Sequence, residues 1–423
     1  MGLTMNERKS VINVLASQYQ KAARKEKHLI LDQFILLTGY NRSYASFLLS
    51  HHGRKSPISP NLSIVADATK SSPRSYVKTY DLKVLNALKK IWFILDCICG
   101  KRLAPMLPEI IPVLERHNEI HLDPLTRQKL INISSATIDR LLRDEKRAFL
   151  LSSRSKTKPG TLLKNQIPIR TWADWDDLRP GFVEIDLVAH EGGDPRGEFI
   201  QTLDVTDVAT GWTETQAVRN KAQIWVFNAL KDISGRLPFK LLGIDSDNGG
   251  EFINAPLLKY CQAEKITFTR GRAYRKNDNC YVEQKNYSVV RRAVGYYRYE
   301  SEQELKLLNE LYSHLRLYTN YFQPCMKLIE KEKVGSKVKK KYDEARTPYR
   351  RVMESEKVSK EEKEEVKKVY EKLNPAQLKR EISRLQQELI EMGERKRKSS
   401  KEEQERTVEE EKEKGKRVAV RKG

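Results

Sequence analysis

Apolar residues recur at helical spacing from early in the chain. Val11, Ile12, Leu15 and Tyr19 fall on one helical face, and Leu29, Ile30, Phe34 and Leu37 fall on a second. Thr38-Gly39-Tyr40-Asn41 then breaks the pattern: Gly39 suits the left-handed residue that ends a helix, and Asn41 suits the cap of the next. Helix, short glycine turn and helix make a helix-turn-helix pattern. Its second helix is expected to turn Arg42, Ser43 and Ser46 outward and to bury Tyr44 or Ala45 with Leu48. Residues 53–80 are rich in Ser, Pro and Lys with weak periodicity, and read as a linker or phosphate-tracking arm. Helical spacing returns at Val84, Leu85, Leu88, Ile91, Trp92 and Leu95. A further helix is predicted over Met106–Arg116, with Pro105 and Pro108 suiting its first turn. Leu125–Leu130, a short turn and SATIDRLLRDEKR then form a second helix-turn-helix pair, capped by Ser134 or Ser135, with Arg140 and Arg143 outward. Residues 151–180 read as an extended basic linker whose Trp172 and Trp175 pack on the next domain.

Near residue 181 the period changes. GFVEIDLVAH, EFIQTLDVTDV and WTETQAV, separated by the turns EGGDPRG and ATG, predict a three-stranded antiparallel meander. A helix over Lys221–Ile233 follows, with Ile224, Trp225, Phe227 and Leu230 expected inward. Next come strand LLGID, helix Ala255–Ala263, strand ITFTR, a loop and a long helix from about Tyr281. This order makes a mixed five-stranded α/β sheet with helices on both faces. Residues 331–355 are basic and shaped by Pro348 and Tyr349. In the charged stretch that follows, Leu378, Ile382, Leu385, Leu389 and Met392 recur at 4-3-4-3 spacing, a short candidate coiled coil. The last thirty residues read as disordered. The expected divisions are 1–55 and 80–150 (two DNA-binding helical domains), 56–79 and 151–174 (linkers), 175–325 (α/β core), 326–355 (basic segment) and 356–423 (charged, partly disordered tail).

Charge adds a partner to this outline. The chain carries 79 Lys+Arg against 57 Asp+Glu, a net +22. The excess is +14 in residues 1–180 and +9 in 331–423, while 181–330 stand at −1. A neutral, acid-bearing middle between basic flanks fits a reaction core gripped onto nucleic acid, although solvated lysine faces would look the same. The five cysteines form no CxxC pair and no leader is visible, so reduced thiols and a cytoplasmic location are expected. The longest apolar stretch, IWFIL, is far short of the ~20 residues that span a bilayer, so no membrane partner is expected. His117 and His121 lie four apart but lack a third ligand, and Pro124 ends the helix they would need.

Three acids carry the candidate chemistry. Asp186 closes one apolar run, Asp247 follows another and precedes Asn-Gly-Gly, and Glu283 opens a helix with 35 residues between it and Asp247. Two acids after strands and one on a helix are a donor set for a pair of divalent cations. Asp245 is the nearest rival, since two residues earlier on a strand it points the same way. Asp204 and Asp207 read as structural, and Asp278 and Asn279 as helix caps. The segment from Arg270 holds Arg270, Arg272, Arg275 and Lys276, suited to phosphates. Lys285 and Arg291 flank the Glu283 face as further DNA contacts, or else form a solvated basic face.

The element order β-β-β-α-β-α-β-α, with DSDNGGEF and KNDNCYVEQKNYSVVRR, resembles DDE transposases of the bacterial insertion-sequence type with a retroviral-integrase-like catalytic core. The likeness covers about residues 175–320. It implies a ribonuclease-H-like fold. It also implies that Asp186 bridges two Mg²⁺ ions (Mn²⁺ substituting), with Asp247 on one and Glu283 on the other. The implied activity is 3′-end cleavage and strand transfer into target DNA. The partners would be double-stranded element ends and target DNA, with at least a dimer assembled on them at the bacterial nucleoid. The viral zinc-binding N-terminal module is absent, and helix-turn-helix units stand in its place. Rival expectations are a non-catalytic DNA-binding regulator that kept the fold, and a nuclease of the same fold.

Overall fold

The first helical stripes fold as α1 (Met5–Lys21), α2 (Arg24–Thr38) and α3 (Arg42–His51). The computed structural model describes residues 3–59, 62–65, 79–148, 179–247, 249–270, 280–334 and 337–396. They divide into two units, 1–79 and 80–423. In the first, Ile12, Ala16 and Tyr19 pack with Leu31, Phe34, Ala45, Leu48 and Leu49. Gly39 ends α2 at φ 70°, and the Asn41 side chain accepts the Ser43 N–H. Two details differ from expectation. Ser46 is half-buried with its hydroxyl 3.2 Å from Tyr19 Oη, and Tyr44 stands exposed. The supposed linker contains an antiparallel hairpin, β1 (Lys55–Ser59) and β2 (Leu62–Val65). Pro57 within the first strand hid it, because proline inside a run argues against a strand.

The second unit opens with α4 (Leu82–Ile94), α5 (Gly100–Arg116), α6 (Pro124–Ile131), α7 (Ser135–Leu141) and α8 (Arg143–Ala148). Helix α5 starts at Gly100, not Met106. Its Pro108 and Pro112 sit four apart on the exposed side, where water can reach the Ala104 and Pro108 carbonyls left without an N–H donor. Gly100 is required by a close approach: a Cβ there would lie 2.2 Å from the Ser135 carbonyl oxygen. Its N–H donates to Asp139 Oδ1 at 2.9 Å, which ties α5 to α7.

The sheet comprises β3 (Phe182–Ala189), β4 (Gln201–Asp207), β5 (Thr213–Val218), β6 (Gly243–Ser246) and β7 (Thr267–Arg270), in the order β5-β4-β3-β6-β7. The first three strands are antiparallel, and β6 and β7 run parallel to β3. This is the mixed five-stranded sheet expected. Helices α9 (Gln223–Ser234) and α10 (Ala255–Ala263) pack against Val183, Ile185, Leu203, Val205 and Ile244 on one face. Helix α9 buries Val226, Ala229, Leu230 and Ile233 with Phe227 packed half-buried beside them, so Leu230 and Phe227 face inward as expected, while Ile224 and Trp225 are outward. The other face is polar: Glu184, Thr202, Asp204, Thr206, Thr213, Thr215, Asp245 and Thr269 alternate with the apolar set and are buried too. It is covered by α11 (Cys280–Lys285), a π-helical stretch (Asn286–Arg291), α12 (Arg292–Val294) and α13 (Glu302–Phe322).

The edge strand β5 is closed by two carboxamides of α13. Asn320 Oδ1 and Nδ2 bond the Thr213 N–H and carbonyl, both at 2.8 Å. Asn309 does the same at Ala217, at 2.9 and 3.1 Å. These side chains stand where a sixth strand would pair. Asn320→Ala strands a buried donor and acceptor, so it is expected to cost about 2–4 kcal/mol in urea unfolding. Asn320→Asp should lose nearly as much, since a carboxylate accepts but cannot donate. A loss under about 0.5 kcal/mol would show that water replaces the clamp.

Beyond α13 come the hairpin β8 (Leu328–Val334) and β9 (Lys337–Tyr342), then α14 (Pro348–Glu354), α15 (Lys360–Lys372) and α16 (residues 375–396). Tyr349 stacks on Tyr370 at 4.4 Å. Leu378, Ile382, Leu385 and Leu389 of α16 are buried in one apolar cluster with α4–α7, α13 and α14. The heptad stripe is therefore spent within the chain, not left for a coiled coil. The same cluster joins 80–148 to the sheet and to the tail as far as 396, where separate domains and a loose tail were expected. The expected linker 151–174, with Trp172 and Trp175, and the tail after 396 lie outside the described residues. No described helix is long and apolar enough to cross a membrane.

Candidate active site

Asp186 stands midway along β3, and Asp247 just past the end of β6. Strands β3 and β6 are parallel with Ile185 beside Ser246, so the next step sets Asp186 beside Asp247. The two-residue period puts both on the polar face. Asp245, two positions earlier, lies opposite Glu184 inside the sheet, fully buried, and accepts the Thr269 hydroxyl at 2.5 Å. The register thus separates the rivals: Asp245 is locked in the sheet, and Asp247 reaches its rim.

Helix α11 is moored to β3 by two side chains. Glu184 Oε2 accepts the N–H groups of Tyr281 and Val282 at 2.8 and 3.1 Å. A buried carboxylate at a helix start satisfies open donors and complements the dipole. One turn on, Asn286 Nδ2 donates to Asp186 Oδ2 at 2.6 Å. Glu283 lies between these moorings and is exposed. Asn286 also opens the π-helical stretch, and π turns inside α-helices concentrate at functional sites.

Electrostatics links the three acids. Burial, then the charge of Asp247, and more weakly that of Glu283, push the Asp186 carboxyl up to about 7. Burial also raises Asp247, against the Gly249 N–H that its Oδ1 accepts at 2.9 Å. Asp204 pairs across β4 with Asp186, and burial pushes it up to about 8. It was expected to be structural, and its place beside Asp186 borders the site. Asp207 does shape a turn, accepting Gly181 N–H, Thr210 N–H and the Thr210 hydroxyl.

Two oxygens here are buried without a partner, Asn286 Oδ1 and Asp204 Oδ2. With the carboxylates of Asp186, Asp247 and Glu283 they make a hard-oxygen donor set of the kind Mg²⁺ takes. Like charges crowded in a poorly solvated place are what a cation relieves. The carboxylates have not closed on one another, however: no group of three His, Cys, Asp or Glu stands at metal-holding separation among the described residues.

The basic residues divide. Arg270 ends β7 partly exposed, while Arg272, Arg275 and Lys276 lie outside the described residues, as do Asp278 and Asn279. Lys285 and Arg291 do not point outward. Burial holds the Lys285 ammonium below its ordinary range, opposed by Cys325 and Asp204. Arg291 donates to the Ala189 carbonyl at 2.7 Å and lies over the Tyr296 ring. Both are half-buried, not free on an exposed basic face. Arg140 is exposed, bonded to the Thr137 hydroxyl, and Arg143 is exposed. Arg42 is exposed in an ion pair with Asp32, beside exposed Ser43.

Sequence reasoning missed Glu184, Asn286 and the placement of Asp204. A signal existed for Glu184, because residues 184 and 186 share a strand face. Glu184→Ala is expected to speed amide exchange at Tyr281 and Val282 by about ten- to a hundredfold, the weight of hydrogen bonds to a charged acceptor. Glu184→Gln should fall between. Unchanged exchange in both would mean that the carboxylate does not moor the helix.

No family model matches the chain. Among solved structures, the catalytic core domain of BIV integrase overlays 42% of this chain and 95% of that chain, at 18% identity and a TM-score of 0.28. The HTLV-2 integrase catalytic core domain in complex with magnesium overlays 36% of this chain and 93% of that chain, at 14% identity and a TM-score of 0.27. At such scores the overlays carry no weight of their own; the fold rests on the strand order and register. The uncharacterized protein y4rM of Sinorhizobium fredii is 38% identical over 340 residues, which cover 80% of this chain and 93% of that protein.

Proposed function

The chain belongs to one family with the uncharacterized protein y4rM, and we propose that it is a DDE-type DNA transposase or integrase that cuts 3′ ends and joins them to target DNA. The observation that carries this reading is the placement of Asp186, midway along β3, beside the end of β6 that Asp247 follows, beneath a helix that bears Glu283 and is tied to Asp186 through Asn286. Asp186, Asp247 and Glu283 would hold two Mg²⁺, with Asn286 as orienter. Bound there, the ions would supply activation of the attacking oxygen and stabilisation of the leaving oxygen in an in-line displacement at phosphorus. The chain itself supplies a rigid sheet for two carboxylates and a moored helix for the third. Burial and the charge of Asp247 raise the Asp186 carboxyl to about 7, so a cation held there would compete with a proton near neutrality. The exposed cations Arg42, Arg140, Arg143 and Arg270 are proposed to contact DNA phosphates, and the net charge of +22 supports a polyanionic partner. Assembly as at least a dimer on paired ends, in the bacterial cytoplasm, belongs to the same proposal.

The test is cleavage and strand transfer in vitro, with Mg²⁺, on DNA carrying the sequences that bound the gene. Asp247→Asn and Glu283→Gln should abolish both steps, and full activity in either sinks the assignment. Products that are cut but never joined would identify a nuclease instead, and metal-independent DNA binding without nicking would identify a regulator.

A further inference from the structure

Against the run from Gln284 to Ala293, and bounded by α13 and α16, lies a cavity of about 400 Å³. Four cations line it: Arg102, Lys285, Arg292 and Lys379. One lining carboxylate, Asp96, answers them, and it is already divided between Arg292 at 2.5 Å and Lys379 at 2.7 Å. Arg102 is held by the Pro324 carbonyl at 2.5 Å and faces Gln323 Oε1 at 3.4 Å. Gln323 and Gln386 give their amides to the backbone carbonyls of Leu95 and Ala293. Lys285 differs from the other three, because no hydrogen bond or ion pair in the described structure engages its ammonium. Asp204 attracts it through space without reaching it. An ammonium that borders a cavity and has no acceptor among the described protein groups is open to an anion from solution. The room for one is the cavity, where three more positive charges would favour an anion over water.

We propose that this cavity is an anion site that takes a phosphoryl group, with Lys285 as its direct contact. The lining of the cavity includes none of Asp186, Asp247 and Glu283, although Lys285 feels the charge of Asp204 beside them. A phosphoryl group could come from a free phosphate or from a nucleic-acid strand end, and the chemistry of recognition is the same.

The test uses the full chain in EDTA, so that metal binding at the acids plays no part. Inorganic phosphate is titrated by calorimetry, followed by a 5′-phosphorylated dinucleotide and its unphosphorylated counterpart. Saturable binding with Kd on the order of 1 mM or tighter is expected. Lys285→Met should weaken it by about tenfold or more, while Lys285→Arg keeps it within about threefold. Methionine fills the lysine volume without its charge, and far-ultraviolet dichroism confirms that each variant is folded. Displacement of phosphate by the phosphorylated dinucleotide alone would name a strand end as the source. Binding of inorganic phosphate alone would name a free anion. No saturation by about 10 mM phosphate in the wild type, or equal affinity in Lys285→Met, overturns the site.

Discussion

Asp186→Asn is expected to end metal-dependent strand cleavage and joining while making the metal-free protein more stable at pH 8. The two effects share one cause. Asp186 sits on a buried polar face beside Asp247 and within reach of the charge of Glu283, and its carboxyl is pushed up to about 7. A folded state that raises a carboxyl pKa binds the proton more tightly than the unfolded chain does. Stability that is full near pH 4 is therefore lost as pH rises from the ordinary carboxyl range through about 7. Asp204, pushed up to about 8 across the strand pair, acts in the same direction. A carboxamide at position 186 carries no charge to bury, so the variant should lose this pH dependence in part and melt higher than wild type at pH 8 in EDTA. Saturating Mg²⁺ should reverse the order, because wild type gains a ligand that the variant holds poorly. For the reaction, loss of a carboxylate worth several kcal/mol of charge stabilisation predicts a fall of about a thousandfold or more. Activity within about tenfold of wild type would remove Asp186 from the site. A variant that is inactive and also less stable at pH 8 would show that misfolding, not chemistry, explains the loss.

Removal of residues 374–423 is expected to leave residues 80–373 without a cooperative fold. Leu378, Ile382, Leu385 and Leu389 are 7%, 2%, 0% and 2% exposed, and they share one cluster with Leu308, Leu311 and Leu315. Burying each aliphatic side chain contributes about 1.5–3 kcal/mol, so the four together approach the whole ~5–15 kcal/mol stability of a typical domain. Polar ties add to this. Gln386 Nε2 donates to the Ala293 carbonyl at 2.7 Å, at the far end of the helical run that bears Glu283. Lys396 reaches the fully buried Glu304 carboxylate at 2.7 Å, at the start of α13. The milder Leu385→Ala should cost about 2–5 kcal/mol by urea unfolding. A shortened chain that melts at the wild-type temperature would mean that α16 is an accessory and not core.

The acid triad was legible because each member has a local signature: an apolar run ending in Asp186, a glycine turn after Asp247, and a helix start at Glu283. The five strands and α10 were legible for the same reason, since period and turn residues are properties of a few neighbouring positions. The direction a residue faces is not such a property. Ile224 and Trp225 looked inward on α9, yet the face that meets the sheet is Val226, Ala229, Leu230 and Ile233. Lys285 looked like a surface cation, yet it is half-buried at a cavity shared with α13 and α16. Helices were expected on both faces of the sheet, but not that the face under α11 to α13 would be polar, its buried hydroxyls, acids and carboxamides satisfying most of one another's hydrogen bonds.

The sequence by itself therefore determined the elements, the acids and the basic flanks, because these follow from spacing and residue chemistry along the chain. Only the tertiary structure decided that Asp247 and not Asp245 reaches the rim, because that depends on where β6 ends against β3. It alone revealed Glu184 and Asn286 as the moorings of α11, because their partners lie about a hundred residues away. It alone turned the heptad stripe of α16 inward, because an apolar stripe states that it must be covered and leaves open by what.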